Sequence, residues 1–142
     1  HLPGRVQEYC RKTGQFVPQT VGEIMRCIYE SLALKYRWAI SQLQQATGRR
    51  FGTLHVLGGG AKDGLLCRMT ADAAGLRVVA GPVEATALGN LMLQLTALGA
   101  MPSLEEGRRW IAREEKLTEY LAQTSEAWET AYQKYQTLLE SV

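Results

Sequence analysis

The stretch from Phe51 to Gly81 constrains this chain more than any other. Phe51 to Leu57 carries β-branched and aromatic residues and is closed by Gly58, Gly59 and Gly60, so it reads as a buried strand. Lys62 to Ala74 then repeats Leu65, Leu66, Met69 and Ala73 on one face, with Gly75 as a C-terminal stop. "LRVVAG" is a second short strand. Two strands joined through a helix form a βαβ unit, which requires parallel pairing and a right-handed crossover. The fold class expected is therefore α/β.

Helices surround this unit. "PGRVQEYCRKTG" has proline at its start, Val6, Tyr9 and Cys10 at helical spacing, and Gly14 just past its end. In the next segment Thr20 and Glu23 have the spacing of a capping box. Val21, Ile24, Met25, Ile28, Leu32, Tyr36, Ala39 and Leu43 follow as an apolar stripe that Gly48 ends, which predicts a long amphipathic helix. Downstream, Pro82 is expected to open a helix with Leu88, Leu91, Met92, Leu95 and Leu98 as its buried stripe. Ser103 and Glu106 again have capping-box spacing and introduce a helix to about Arg113, and a final helix from about Ser125 carries Trp128, Ala131, Tyr132, Tyr135, Leu138 and Leu139 on one face. "KLTEYLAQTS" fits neither helix nor strand decisively.

No repeat or linker divides the 142 residues, which suffice for one domain burying roughly two-thirds of its unfolded surface. Two strands are too few for a sheet buried on both faces, so the sheet reads as incomplete, with neighbours expected upstream. Sixteen basic residues against fourteen acidic ones leave a formal charge of +2, which carries no nucleic-acid footprint. Arg49, Arg50, Arg108 and Arg109 read as solvated helix faces. No apolar run is long enough to span a membrane and the first residues lack a signal-peptide core, so a cytoplasmic location is expected. Cys10, Cys27 and Cys67, with only His1 and His55 beside them, form no metal-ligand spacing and read as buried thiols. Cys10 and Cys27 fall on adjacent predicted helices and could meet.

Three glycines between strand and helix let the backbone approach a ligand, and the following helix offers unpaired N–H groups to an anion. A tight structural turn accounts for them equally well. No Lys-Ser/Thr pair follows as in a P-loop, and the alternating glycines of the dinucleotide fingerprint are absent. Asp63, just after the turn, is placed either to bond a ligand or to sit as an acid at the helix N-terminus. Glu84 reads as a dipole-facing acid after Pro82, Asp72 as a surface or helix-packing residue, and His55 as a packed or edge histidine. Arg68, Thr86 and Asn90 complete the polar candidates, and no catalytic pairing emerges from their spacing.

"LHVLGGGAKDGLLCRMTADAAGLRVVAGPVEATALGNLMLQL" closely resembles the carboxy-terminal signature of the FGGY carbohydrate kinases, and "LPGRVQEYCRKTGQFVPQTVGEIMRCIYESLALKY" resembles the segment preceding it in that family's branch that phosphorylates L-rhamnulose. "WETAYQKY" is similar to the closing helix of many members. The resemblance implies that residues 1–142 are the helix-rich carboxy-terminal part of a ribonuclease-H-like domain of the actin and heat-shock ATPase superfamily. It further implies transfer of the γ-phosphoryl group of ATP, with Mg2+, to the sugar's 1-hydroxyl. ATP contact would fall to Gly59, with Gly58 and Gly60 shaping the turn, and to Asp63 as a base or ribose contact. Members often have Asn where Asp63 stands; Asp keeps the acceptor oxygens and loses the amide donors. Arg68 likewise replaces a frequent Gln. The family's phosphate-binding hairpin, sugar pocket and aspartate base have no counterpart here, so the sugar is expected to be held by an amino-terminal domain and the chain alone to be inactive. The rival expectation is a non-catalytic helical association module, self-associating through an exposed packing surface. A third is the same domain from a kinase for another sugar.

Overall fold

The computed structural model describes all residues except 124, 141 and 142, so one position of the undecided "KLTEYLAQTS" segment lies outside the described residues. Helix α1 spans Leu2–Lys12 and α2 spans Val21–Thr47. The capping box at the start of α2 forms: Thr20 Oγ1 accepts the Glu23 N–H at 3.2 Å, while the Glu23 carboxylate accepts the Thr20 N–H at 2.9 Å. Gly48 ends the helix in the left-handed region, at φ +65°, where a side chain would be strained.

Strand β1, Thr53–Val56, runs parallel to β2, Arg77–Ala80, with Leu54 opposite Val78 and Val56 opposite Ala80. Between them lie a 3-10 turn at Gly58–Lys62 and helix α3, Gly64–Ala74. The predicted βαβ unit is thus present. A third strand, β3 at Thr118–Tyr120, pairs antiparallel with β2 and leaves β1 at an edge of the described sheet. It falls in the segment that sequence left undecided, because three residues with an acid in the middle show no readable alternation. The remaining helices are α4 at Ala85–Ala97, α5 at Leu104–Glu114 and α6 at Glu126–Glu140.

The core forms where α3 covers the sheet. Cys67, Ala71, Val78 and Ala80 are buried there, with Leu54, Val56, Ala61 and Tyr120 packed around them. Alternation along the strands puts these sheet residues on one face. The α2 helix packs on α3 and also meets α1 and α6. At the last contact Arg37 stacks over the Tyr132 ring at 3.9 Å and pairs with Glu129 at 2.6 Å.

Several burial expectations fail, and for related reasons. Residues 53–56 are mostly half-buried, with His55 exposed, because β1 is an edge strand. On α3 the buried positions are Cys67, Thr70, Ala71 and Ala73, while Leu65 is exposed. That helix lies between the sheet and α2, where small residues permit close approach. On α2 the buried residues are Ile24, Ala33 and Leu34, whereas Val21, Met25, Tyr36 and Leu43 are exposed. Three partner helices draw on different sides of it, so no single stripe describes its burial.

The start of α4 is also displaced. It begins at Ala85, since Pro82 turns its carbonyl toward Gly58 and Val83 and Glu84 form a turn. Of the expected stripe only Met92 is buried; Leu91 and Leu98 are exposed, and Leu88 and Leu95 are half-buried. The Cys10 thiol is buried and Cys27 half-buried, both are free, and burial together with the neighbouring Cys10 pushes the Cys27 thiol above its ordinary pKa. The two cysteines do meet across α1 and α2.

Candidate functional site

The glycine turn lies at the carboxyl ends of the parallel strands, where open α/β sheets bind ligands. Two backbone bonds hold it to the loop after β2: the Gly58 N–H donates to the Pro82 carbonyl at 3.2 Å, and the Gly81 N–H donates to the Val56 carbonyl at 2.9 Å. Gly58 has φ +74°, a conformation that favours glycine. Gly59 does not, and a Cβ built on it meets nothing within 4 Å. Its Cβ position faces open space. A Cβ on Gly60 would make ordinary contact with Val56 at 3.7 Å. The three glycines therefore differ: Gly58 is required by backbone geometry, whereas the bare surface of Gly59 has no such internal reason.

Asp63 is the N-cap of α3. Its Oδ1 accepts the Leu66 N–H at 3.0 Å, and its Oδ2 accepts the Tyr29 hydroxyl at 2.5 Å. The Tyr29 O–H first, and the Leu66 N–H second, hold the Asp63 carboxyl below its ordinary pKa, while the same bond raises the Tyr29 phenol. Tyr29 was not singled out in the sequence; a tyrosine on a helix thirty-four positions away gives no local signal of this bond. Burial, and then the nearby Asp63 charge, raises the Cys67 thiol, consistent with a packed cysteine rather than a nucleophile.

The other polar candidates are dispersed. Arg68 donates to the Leu121 carbonyl at 2.9 Å and stands over Tyr120, so it ties α3 to the end of β3. Asp72 accepts the Gln123 N–H at 2.8 Å, which makes it a packing residue. Glu84 occupies the N-cap position of α4 without a side-chain capping bond. It lines a cavity of about 280 Å³ beside the turn, together with Ala61, Pro82 and Lys116. His55, Thr86 and Asn90 are exposed and belong to no cluster with Asp63. A wider groove of about 1280 Å³ between α1, α2 and α6 contains none of the turn residues.

The site can offer backbone to an anion or a nucleoside, and acceptor oxygens at Asp63. Among the described residues no group of three or more His, Cys, Asp or Glu converges as a metal site. No helix among them is long and apolar enough to cross a membrane.

The description "FGGY family of carbohydrate kinases, C-terminal domain" matches residues 2–98, and the chain belongs to that family. The rhamnulokinase of Bacteroides thetaiotaomicron is 47% identical to it over 127 residues, covering 89% of this chain and 26% of the relative. The rhamnulokinase of Enterococcus faecalis is 48% identical over 108 residues, covering 75% of this chain and 22% of the relative. The chain thus spans about a quarter of the length of these curated relatives.

Proposed function

We propose that this chain is the nucleotide side of a rhamnulokinase-like sugar kinase, which in full length transfers the γ-phosphoryl group of ATP to L-rhamnulose and releases ADP and L-rhamnulose 1-phosphate. The observation that carries the reading is the open backbone at Gly59, set at the carboxyl ends of parallel strands and ahead of α3. A structural turn needs Gly58 but not Gly59. In this reading Gly58 fixes the turn, Gly59 and Gly60 let ATP approach the main chain, and Asp63 accepts a hydrogen bond from the nucleoside. The domain is of the ribonuclease-H-like kind, and the location is cytoplasmic, in keeping with a kinase of small sugars.

The residues fit a nucleotide better than they fit its metal. Mg2+ usually retains waters and takes one or two carboxylates plus substrate phosphates. Asp63 Oδ1 and Oδ2 each already accept one hydrogen bond, and among the described residues no group of three or more His, Cys, Asp or Glu converges beside it to share a metal ion. Mg2+ bound with ATP would supply charge neutralisation on the phosphates, and no residue of this turn is assigned to hold it. Phosphoryl transfer also needs an oriented base at the sugar hydroxyl, and none is assigned to these residues. The sugar is held by the amino-terminal portion of the full enzyme.

Titration of ATP and ADP into the full-length protein tests the reading. Gly59→Val adds a side chain where the fold leaves space, so Tm should hold while nucleotide affinity falls at least about tenfold, as expected for a blocked close approach. Unchanged affinity would make the glycines purely structural. Turnover of L-rhamnulose by the 142-residue chain alone would overturn the division of labour.

A further inference from the structure

An aspartate that only caps a helix needs one oxygen, yet Asp63 has both engaged. Oδ1 takes the Leu66 N–H, its carbonyl takes the Cys67 N–H and its own N–H donates back to Gly60. All three are local bonds of a turn entering a helix. The bond to Oδ2 is different in kind: it comes from the hydroxyl of Tyr29, on the separate helix α2, at 2.5 Å. Both side chains belong to half-buried residues, and a hydroxyl donating to an ionised carboxylate forms one of the shorter and stronger hydrogen bonds available to a protein.

We propose that Tyr29 is a positioning residue of the nucleotide site: its hydroxyl turns the Asp63 carboxylate so that the lone pairs left free face an O–H or N–H donor of the nucleoside. The inference rests on the nucleotide reading above and deepens it. Each carboxylate oxygen has room for two hydrogen bonds, and Tyr29 and Leu66 take one on each. What remains is acceptor capacity alone. It suits a ribose hydroxyl or an exocyclic amine and disfavours a bare ring nitrogen, which is itself an acceptor. Tyr29 touches no ligand in this scheme; it acts through Asp63 and, by the Asp63 N–H to Gly60, on the glycine turn.

The test uses steady-state kinetics of the full-length enzyme with wild type, Y29F, D63N and the double variant. Loss of one positioning hydrogen bond in Y29F should raise KM for ATP about fivefold and change kcat less than about twofold. The acid limb of kcat/KM for ATP should move to higher pH in Y29F, because the Asp63 carboxyl loses the strongest influence holding it low. In the D63N background the Y29F effect on KM should shrink below about twofold, since no carboxylate remains to be held. ATP analogues lacking the 2′-hydroxyl, the 3′-hydroxyl or the 6-amino group identify the donor: the analogue lacking it should bind wild type more weakly and be indifferent to Y29F. Failure of wild type to saturate with ATP would overturn the nucleotide reading itself. Normal saturation with an unchanged KM and acid limb in Y29F, whether or not Tm falls, would overturn this inference alone. Equal responses of ATP and every analogue to Y29F would do the same.

Discussion

The βαβ region and the α4–α5 arm are comparably apolar in sequence but not in structure. In the first, Cys67, Ala71, Val78 and Ala80 close a core in which α3 lies between the sheet and α2. In the second, only Met92 and Gly107 are buried, and Leu91, Leu93, Leu98, Leu104 and Trp110 are exposed. From Ala85 to Ala97 there is no charged residue at all. An uncharged, leucine-rich helix with apolar residues on several sides is the kind that larger proteins bury. The difference teaches that the βαβ region holds its own partners, whereas the arm is patterned for more protein than these residues supply, in agreement with relatives of which the matched segment is about a quarter.

The strongest way to break the contrast is Val78→Asp. Val78 has no exposed surface and sits between β1 and β3, opposite Leu54 and Tyr120. An unpaired carboxylate there should cost about 3 to 5 kcal/mol and remove the cooperative urea transition of the βαβ region. A transition midpoint near wild type would show that this region is not the stable centre. Next in size is Gly107→Val. A Cβ at Gly107 meets the sulfurs of Met92 and Met101 at 2.7 Å each, so these side chains, or the helices that carry the contact, must shift. Overpacking of this kind costs about 1 to 3 kcal/mol. Hydrogen exchange should accelerate in both arm helices and remain slow in α3 and β2; loss of protection throughout would mean that the two regions unfold as one.

The same contrast governs what the sequence made legible. Local signals survived: the Thr20 and Glu23 box, the left-handed Gly48 and Gly75 stops, and the strand, turn and helix order around Gly58–Gly60 were all readable, because each depends on neighbours in the chain. Burial was less legible, since it depends on what lies opposite. Leu91 and Leu98 have the spacing of core residues and no layer to enter, while the small residues Thr70 and Ala71 are buried by close helix approach rather than by size. At the site, the glycines and Asp63 were visible as a motif, but the bond from Tyr29 and the tether from Asp72 to Gln123 join positions far apart in sequence. Periodicity does not carry such pairings.

The exposed arm gives a smaller effect on stability and a clear one on association. Leu91→Glu with Leu98→Glu changes two exposed positions, so each should alter stability by no more than about 0.5 kcal/mol. Sedimentation of the isolated chain should show concentration-dependent self-association that the paired substitution reduces, because a contiguous apolar face seeks cover. Association unaffected by both glutamates would remove the arm as the sticky surface and leave the groove between α1, α2 and α6 as the next site to examine.

The smallest effect sharpens the comparison at the best-anchored point of the βαβ region. Hydrogen bonds from Tyr29 and Leu66 hold the folded Asp63 carboxyl below its ordinary pKa, whereas an unfolded aspartate titrates near about 3.9. As pH falls, the unfolded chain therefore takes up this proton first. The stabilising contribution is complete above the unfolded pKa and is lost as pH drops through the folded one. Because the carboxylate is solvent-accessible, the change should be modest. It should appear below about pH 5 as a decline in protection at the start of α3, with little matching change in the Asp63-independent α4–α5 contact. In Asp63→Asn this component should flatten, since an amide does not titrate. An undiminished acid-dependent decline in Asp63→Asn would assign the pH response to other carboxylates and separate the cap from the acid sensitivity of the turn.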